Sequence, residues 1–199
     1  LTKRDKTHCE IMKLEVKAFI KKEILRLSKK EVLSLMKLFK EYLREGDGRL
    51  AENEARQMRL RFIGEREGLP SDLLKLIERA EKETSKYSKI TVNIALNYGG
   101  RAEIKSAVKS IAQKVKNGEL TVDEITENII SDNIYTAGQP DPDIIVRPSG
   151  EYRLSNFMTW QSAYSEFWFS DILWPDFTEE HVNEILTDFQ NRNRRFGGV

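Results

Sequence analysis

The sequence predicts an α/β fold, a mostly parallel central sheet flanked by helices. Two observations predict it. Short apolar runs with strand character recur around residues 58–62, 90–96 and 144–146, and longer runs with helical spacing separate them. Strands joined through helices need crossover connections, which make neighbours parallel and cover both faces of the sheet. With 199 residues, no internal repeat and no low-complexity linker, one domain is the economical reading.

Each element has its own justification. Ser28 and Glu31 have capping-box spacing, and Val32, Leu35, Met36, Phe39 and Leu43 recur at helical intervals up to a stop at Gly46-Asp47-Gly48. Met58, Leu60 and Phe62 alternate with Arg59 and Arg61, the pattern of a strand with one wet face. Pro70 suits the first turn of a helix that turns Leu73, Leu74 and Ile77 inward. Ile90 to Leu96 reads as a better buried strand, ending at Asn97-Tyr98-Gly99-Gly100. The next helix carries Ala107, Val108, Ile111, Ala112 and Val115 on one face and stops at Asn117-Gly118. Thr121 and Glu124 make a second capping box, expected to start a short helix through Ile125 and Ile129. A loop from Gln139 to Pro142 leads into the strand Ile144-Ile145-Val146. Glu166 to Phe169 is aromatic-rich and reads as a further strand, and Val182, Ile185, Leu186 and Phe189 mark the last helix.

Composition narrows the function. Lys and Arg number 33 against 32 Asp and Glu, and the signs alternate along the chain, unlike the clustered basic excess of a nucleic-acid binder. Cys9 is the single cysteine, so no intramolecular disulfide can form and a reducing compartment is the expectation. No apolar run reaches the ~20 residues needed to span a bilayer, and the start lacks a signal-peptide pattern. A cytoplasmic protein is expected.

Two segments look built for a ligand, because open α/β sheets bind outside the carboxyl ends of their strands. One is Asn97 to Arg101, whose paired glycines permit close approach to the backbone. The other runs from Arg147 to Asn156, directly after the third strand. Arg147 and Arg153 flank a glycine-containing turn, and guanidinium groups grip phosphate oxygens as bidentate forks. Ser155 can add a hydroxyl donor. Glu166 stands among aromatics, where magnesium is one way to compensate a carboxylate. Spacing alone leaves a plainer alternative: Arg147 and Arg153 pairing with Glu151 and Asp143, and Glu166 exposed or salt-bridged.

The run from Asp141 through Phe177, DPDIIVRPSGEYRLSNFMTWQSAYSEFWFSDILWPDF, closely resembles the signature of undecaprenyl diphosphate synthases and other cis-prenyltransferases. The likeness extends to NIALNYGGRAEI (Asn93 to Ile104), to RFIGEREGLP (Arg61 to Pro70), upstream to a helix from about Glu31, and to the terminal RNRRFGG. This resemblance implies an undecaprenyl diphosphate synthase-like fold and cis-condensation of isopentenyl diphosphate onto an allylic diphosphate such as farnesyl diphosphate. Repeated rounds would make a polyprenyl diphosphate, as in the bacterial cell-wall lipid carrier pathway. It implies that Arg147, Arg153, Leu154 and Ser155 hold the diphosphate of isopentenyl diphosphate. It also implies that Glu166 is a Mg2+ ligand supplied across a homodimer, and that Arg194 to Gly198 reach the partner's substrate site.

Two parts of the family pattern have no counterpart. No segment before Glu31 matches the MDGNGRWA loop, whose aspartate serves magnesium and whose backbone serves the allylic diphosphate. Asp5 lacks the surrounding strand and glycines, and Ile20 to Arg26 stand where FSTENW would be. Residues 1–30 therefore read as a divergent segment before a cis-prenyltransferase-like domain over 31–199, with the family's first strand expected to be missing. No catalytic residue is identifiable. An active chain-elongating enzyme is the first reading; the alternative is a non-catalytic partner subunit or truncated inactive homologue keeping only the isopentenyl diphosphate site. His8 and His181 show no metal-ligand spacing, Cys9 has no evident activating base, and Trp160, Trp168 and Trp174 read as core or interface. The helix bearing Lys37, Lys40 and Arg44 could touch a membrane where product is released, though an ordinary amphipathic helix is the simpler reading.

Overall fold

The computed structural model describes Lys37 and residues 54–192. The helix expected from Glu31, the turn at Gly46 to Gly48, the boundary at residue 31, His8, Cys9 and the tail Arg194 to Gly198 lie outside the described residues, apart from Lys37, which is helical and exposed. The described residues fall into two compact units that meet in the sequence between Tyr98 and Gly99.

The first unit holds β1 (Met58–Ile63), α1 (Ser71–Thr84) and β2 (Ile90–Ala95). The strands pair in parallel, from Met58 opposite Ile90 to Ile63 opposite Ala95. Met58, Leu60 and Phe62 are buried while Arg59 is exposed, as the alternation requires. Leu73 and Ile77 of α1 are fully covered, and Pro70 stands at the N-cap, one residue before the helix. Thr84 of α1 accepts a hydrogen bond from the Leu60 N–H at 3.0 Å, and Glu81 accepts one from Phe62 N–H at 2.9 Å. The helix thereby satisfies two alternate N–H donors of β1 with its own side chains. At the strand ends, Gly64 has φ +125°, and a Cβ there would overlap the Leu96 carbonyl oxygen and lie 3.0 Å from its carbon. Only glycine fits that crossing.

The second unit holds α2 (Gly100–Lys116), α3 (Glu127–Ser131), β3 (Ile144–Arg147), β4 (Glu166–Phe169) and α4 (Glu179–Asn191). β3 and β4 are also parallel, with Ile144 opposite Glu166 and Arg147 opposite Phe169. Val182 and Ile185 of α4 are buried against Ile144, Val146 and Trp168, which places α4 on one face of this pair. His181 completes a capping box at the start of α4, accepting from the Thr178 N–H at 3.0 Å. Its ring lies tilted against Phe177, centroids 5.6 Å apart, so it serves helix geometry.

Two expectations change. The buried face of α2 runs through Gly100, Glu103, Ala107 and Ile111, while Val108 and Ala112 are exposed. The apolar count around the helix did not reveal this, because a carboxylate occupies the inward position three residues after Gly100. The Thr121–Glu124 capping box forms, but it caps only one 3-10 turn, Val122–Glu124. Thr126 then caps α3 separately, its side chain accepting from the Ile129 N–H at 3.3 Å.

Candidate anion-binding site at the end of β3

Arg147 is the last residue of β3 and is buried, so its guanidinium must find acceptors inside the protein. It donates through Nη1 to the Arg153 carbonyl and through Nη2 to Glu151 Oε2. Arg153, more exposed, pairs with the other oxygen of the same carboxylate, Glu151 Oε1. One anion therefore bridges two forks. The pairing of both arginines with Glu151, one of the two partners the spacing left open, is present. Asp143 instead offers its backbone carbonyl to the Glu166 N–H at 2.9 Å. Burial works to raise the Glu151 carboxyl, but the attraction of Arg153 and Arg147 outweighs it and holds its pKa below the usual value.

The loop carrying these groups is held in uncommon backbone conformations. Ser149, Ser155, Asn156 and Met158 all have positive φ, as does Gly150. Such residues each cost of order 1–2 kcal/mol and persist only where the surroundings over-determine them. Those surroundings are visible. Ser149 and Gly150 donate their N–H groups to the carbonyls of Ile172 and Ser170, each at 2.8 Å. Asn156 accepts at its own carbonyl from Gly100 N–H at 2.7 Å and at Oδ1 from Arg101 N–H at 2.8 Å. A Cβ on Gly99 would lie 2.8 Å from Asn156 Nδ2, and one on Gly100 3.0 Å from the Thr159 backbone nitrogen. The two glycines thus let the start of α2 close onto the loop that contains Ser155. Leu154 and Ser155 are half-buried within it.

Behind the loop, Glu103 is buried and accepts from Tyr135 N–H at 2.8 Å and from Gln161 Nε2 at 3.2 Å. Gln161 also reaches Thr136, at 3.0 Å. Sequence reasoning missed this network; the one available signal was an acidic residue at an inward helical position. It also missed Asn156 as the surrogate cap of α2, since the pair is 55 residues apart.

Glu166 stands elsewhere. It opens β4 opposite Ile144, whereas Arg147 ends β3, so the two are separated by ~10 Å along the strands. Glu166 also shares the face of Trp168, which α4 covers, while Arg147 points to the other face. Its carboxylate pairs with Arg192 Nη1 at 2.8 Å. Hydrogen bonds to Glu166, then to Asp188, push the Arg192 pKa up. Among the described residues no group of three or more His, Cys, Asp or Glu could hold a metal ion. The described residues of one chain therefore do not fit a magnesium site shared by Glu166 and the anion at Arg147.

The comparisons with known proteins come to the same stretch. A family model described as "Putative undecaprenyl diphosphate synthase" matches residues 5–197. The chain belongs to this family. An isoprenyl transferase of Geobacillus kaustophilus is 50% identical over 171 residues, covering 86% of this chain and 65% of the relative. One from Bacillus subtilis is 48% identical over the same share of each. The chain thus spans slightly under two thirds of the length of these relatives. The crystal structure of lavandulyl diphosphate synthase from Lavandula x intermedia, in complex with dimethylallyl diphosphate, superposes with a TM-score of 0.81 at 34% identity, covering 87% of this chain and 74% of that one. That of "a probable undecaprenyl diphosphate synthase" from Campylobacter jejuni gives 0.76 at 30% identity over 97% and 91%. The fold is the α/β fold of the undecaprenyl diphosphate synthase family, parallel strands flanked by helices. No helix among the described residues is long and apolar enough to cross a membrane.

Proposed function

We propose that this chain takes part in cis-prenyl chain elongation, holding the diphosphate of isopentenyl diphosphate while that substrate is condensed onto an allylic diphosphate such as farnesyl diphosphate. The observation that carries the reading is the convergence of Arg147 and Arg153 on one carboxylate beyond the end of β3. Two forks that clasp one carboxylate have the spacing to clasp phosphoryl oxygens. Arg147 is buried and anchored on the Arg153 carbonyl; Arg153 is the more exposed of the two. Ser155, in the strained loop, offers a hydroxyl, and the Leu154 backbone continues the cradle. Their work is positioning: holding the homoallylic end fixed turns the condensation into a nearly unimolecular step.

Glu166 enters as a magnesium ligand toward the site of a second copy in a homodimer, and the separation of Glu166 from Arg147 supports the second copy. Magnesium would supply charge neutralisation at diphosphate oxygens. The cellular setting is the cytoplasm, the reducing compartment that suits a chain with a single cysteine.

Calorimetry with isopentenyl diphosphate tests the site. Arg153→Ala should weaken binding by about 1.5 kcal/mol, the low end for a hydrogen bond to a charged group because the side chain is half exposed. Unchanged affinity would remove Arg153 from the reading. Radiolabelled isopentenyl diphosphate with farnesyl diphosphate and magnesium tests the reaction. Product from this chain alone identifies an elongating enzyme, and product only in a mixture with a full-length homologue identifies a partner subunit.

A further inference from the structure

We infer that Glu151 is a built-in stand-in for the substrate's diphosphate, holding the arginine pair in its gripping arrangement and leaving when the anion arrives. The inference rests on the reading of Arg147 and Arg153 as the diphosphate grip. Three features of the structure carry it.

First, each Glu151 carboxylate oxygen takes a different arginine, Oε2 from Arg147 and Oε1 from Arg153. A carboxylate in that position presents what a phosphoryl group would present: two oxygens, each facing a guanidinium. Any anion bound by both forks must compete with it, and a carboxylate left beside a diphosphate would repel it.

Second, the site is arranged to release this residue. Arg147, the buried partner, keeps the Arg153 carbonyl as a second acceptor, so it is not orphaned when Glu151 departs. Arg153 is exposed and can be solvated meanwhile. The Glu151 side chain is only part-buried, so it can turn outward into solvent while the backbone of the loop stays in place.

Third, without the substrate two guanidinium groups held side by side would repel. Glu151 offsets that repulsion and leaves the pair with a net charge of +1, whereas displacement exposes the full +2 to the incoming anion. The exchange therefore orders the site before binding and strengthens it on binding.

The stand-in makes a prediction opposite in sign to that of an ordinary positioning residue. Metal-free inorganic pyrophosphate is titrated calorimetrically into the whole chain, wild type and variants, with the fold of each checked by circular dichroism. Glu151→Gln should bind about five- to tenfold more tightly, since a carboxylate no longer competes for the two guanidinium groups. Glu151→Asp should also bind more tightly: it keeps the charge but is too short to bridge both arginines, which separates loss of the bridge from a change in net charge. Weaker binding by both variants, with Arg153→Ala weaker still, would overturn the stand-in while leaving the diphosphate grip intact. Tighter binding by Glu151→Gln alone would reduce the effect to net charge and also overturn it. No binding by any form, including Glu151→Gln, would overturn the grip and the stand-in together.

Discussion

Asn156→Ala is the perturbation that most directly tests how the loop is held. Two losses coincide at this position. The side-chain bond from Arg101 N–H, 2.8 Å long, disappears, and the start of α2 loses its surrogate cap. Removing a capping side chain costs about 1 kcal/mol. The backbone at Asn156 has φ +67°, which asparagine tolerates better than alanine. Placing alanine there costs about 1 kcal/mol more. The main-chain bond from Gly100 N–H to the Asn156 carbonyl survives the substitution. The total is about 2 kcal/mol, which for a chain of this size lowers Tm by about 4–8 °C. Asn156→Gly separates the losses, because glycine gives up the cap and keeps the left-handed backbone. Its cost should be about 1 kcal/mol and its Tm shift about half as large. Thermal unfolding followed by circular dichroism measures both. Equal destabilisation by alanine and glycine would refute the backbone share, and a shift under about 1 °C for alanine would refute the cap.

Other consequences follow from single contacts. Gly64→Ala should cost more than about 3 kcal/mol, because the added Cβ meets backbone atoms of Leu96 and the residue has φ +125°; urea unfolding with a midpoint near wild type would contradict this. Glu151 has a depressed pKa in the folded chain, so its contribution to stability is complete above the ordinary carboxyl value of 4.5 and lost as pH falls through the lower folded value. Thermal melts from pH 6 to pH 3 should therefore show a steeper acid decline for wild type than for Glu151→Gln, and parallel declines would exclude the ion pairs. Arg153→Ala and Glu166→Gln should each impair magnesium-dependent pyrophosphate binding, and co-expressed together they should recover part of it. In the proposed homodimer such a mixture contains one site with both residues intact; absence of recovery in a verified mixed dimer would show that Glu166 does not act across copies.

What could be read from the chain depended on how far apart the interacting residues stand. Local periodicity sufficed for β1, α1, β2, β3 and α4, because the inward positions of a strand or helix repeat within a few residues. Arg147 and Arg153 could be selected as a pair, since they lie only six residues apart across a glycine-containing turn. The DPDIIVRPSGEYRLSN stretch identified the family for the same reason: its chemistry is written contiguously. Tertiary structure alone decided that Asn156 closes α2, that Glu103 turns inward toward Gln161, and that Arg192 neutralises Glu166. Those pairs lie 55, 58 and 26 residues apart, and no local propensity encodes which distant partner satisfies a polar group. It also decided that Glu166 and Arg147 belong to opposite ends and faces of one strand pair, because the register of β3 on β4 is set by packing under α4.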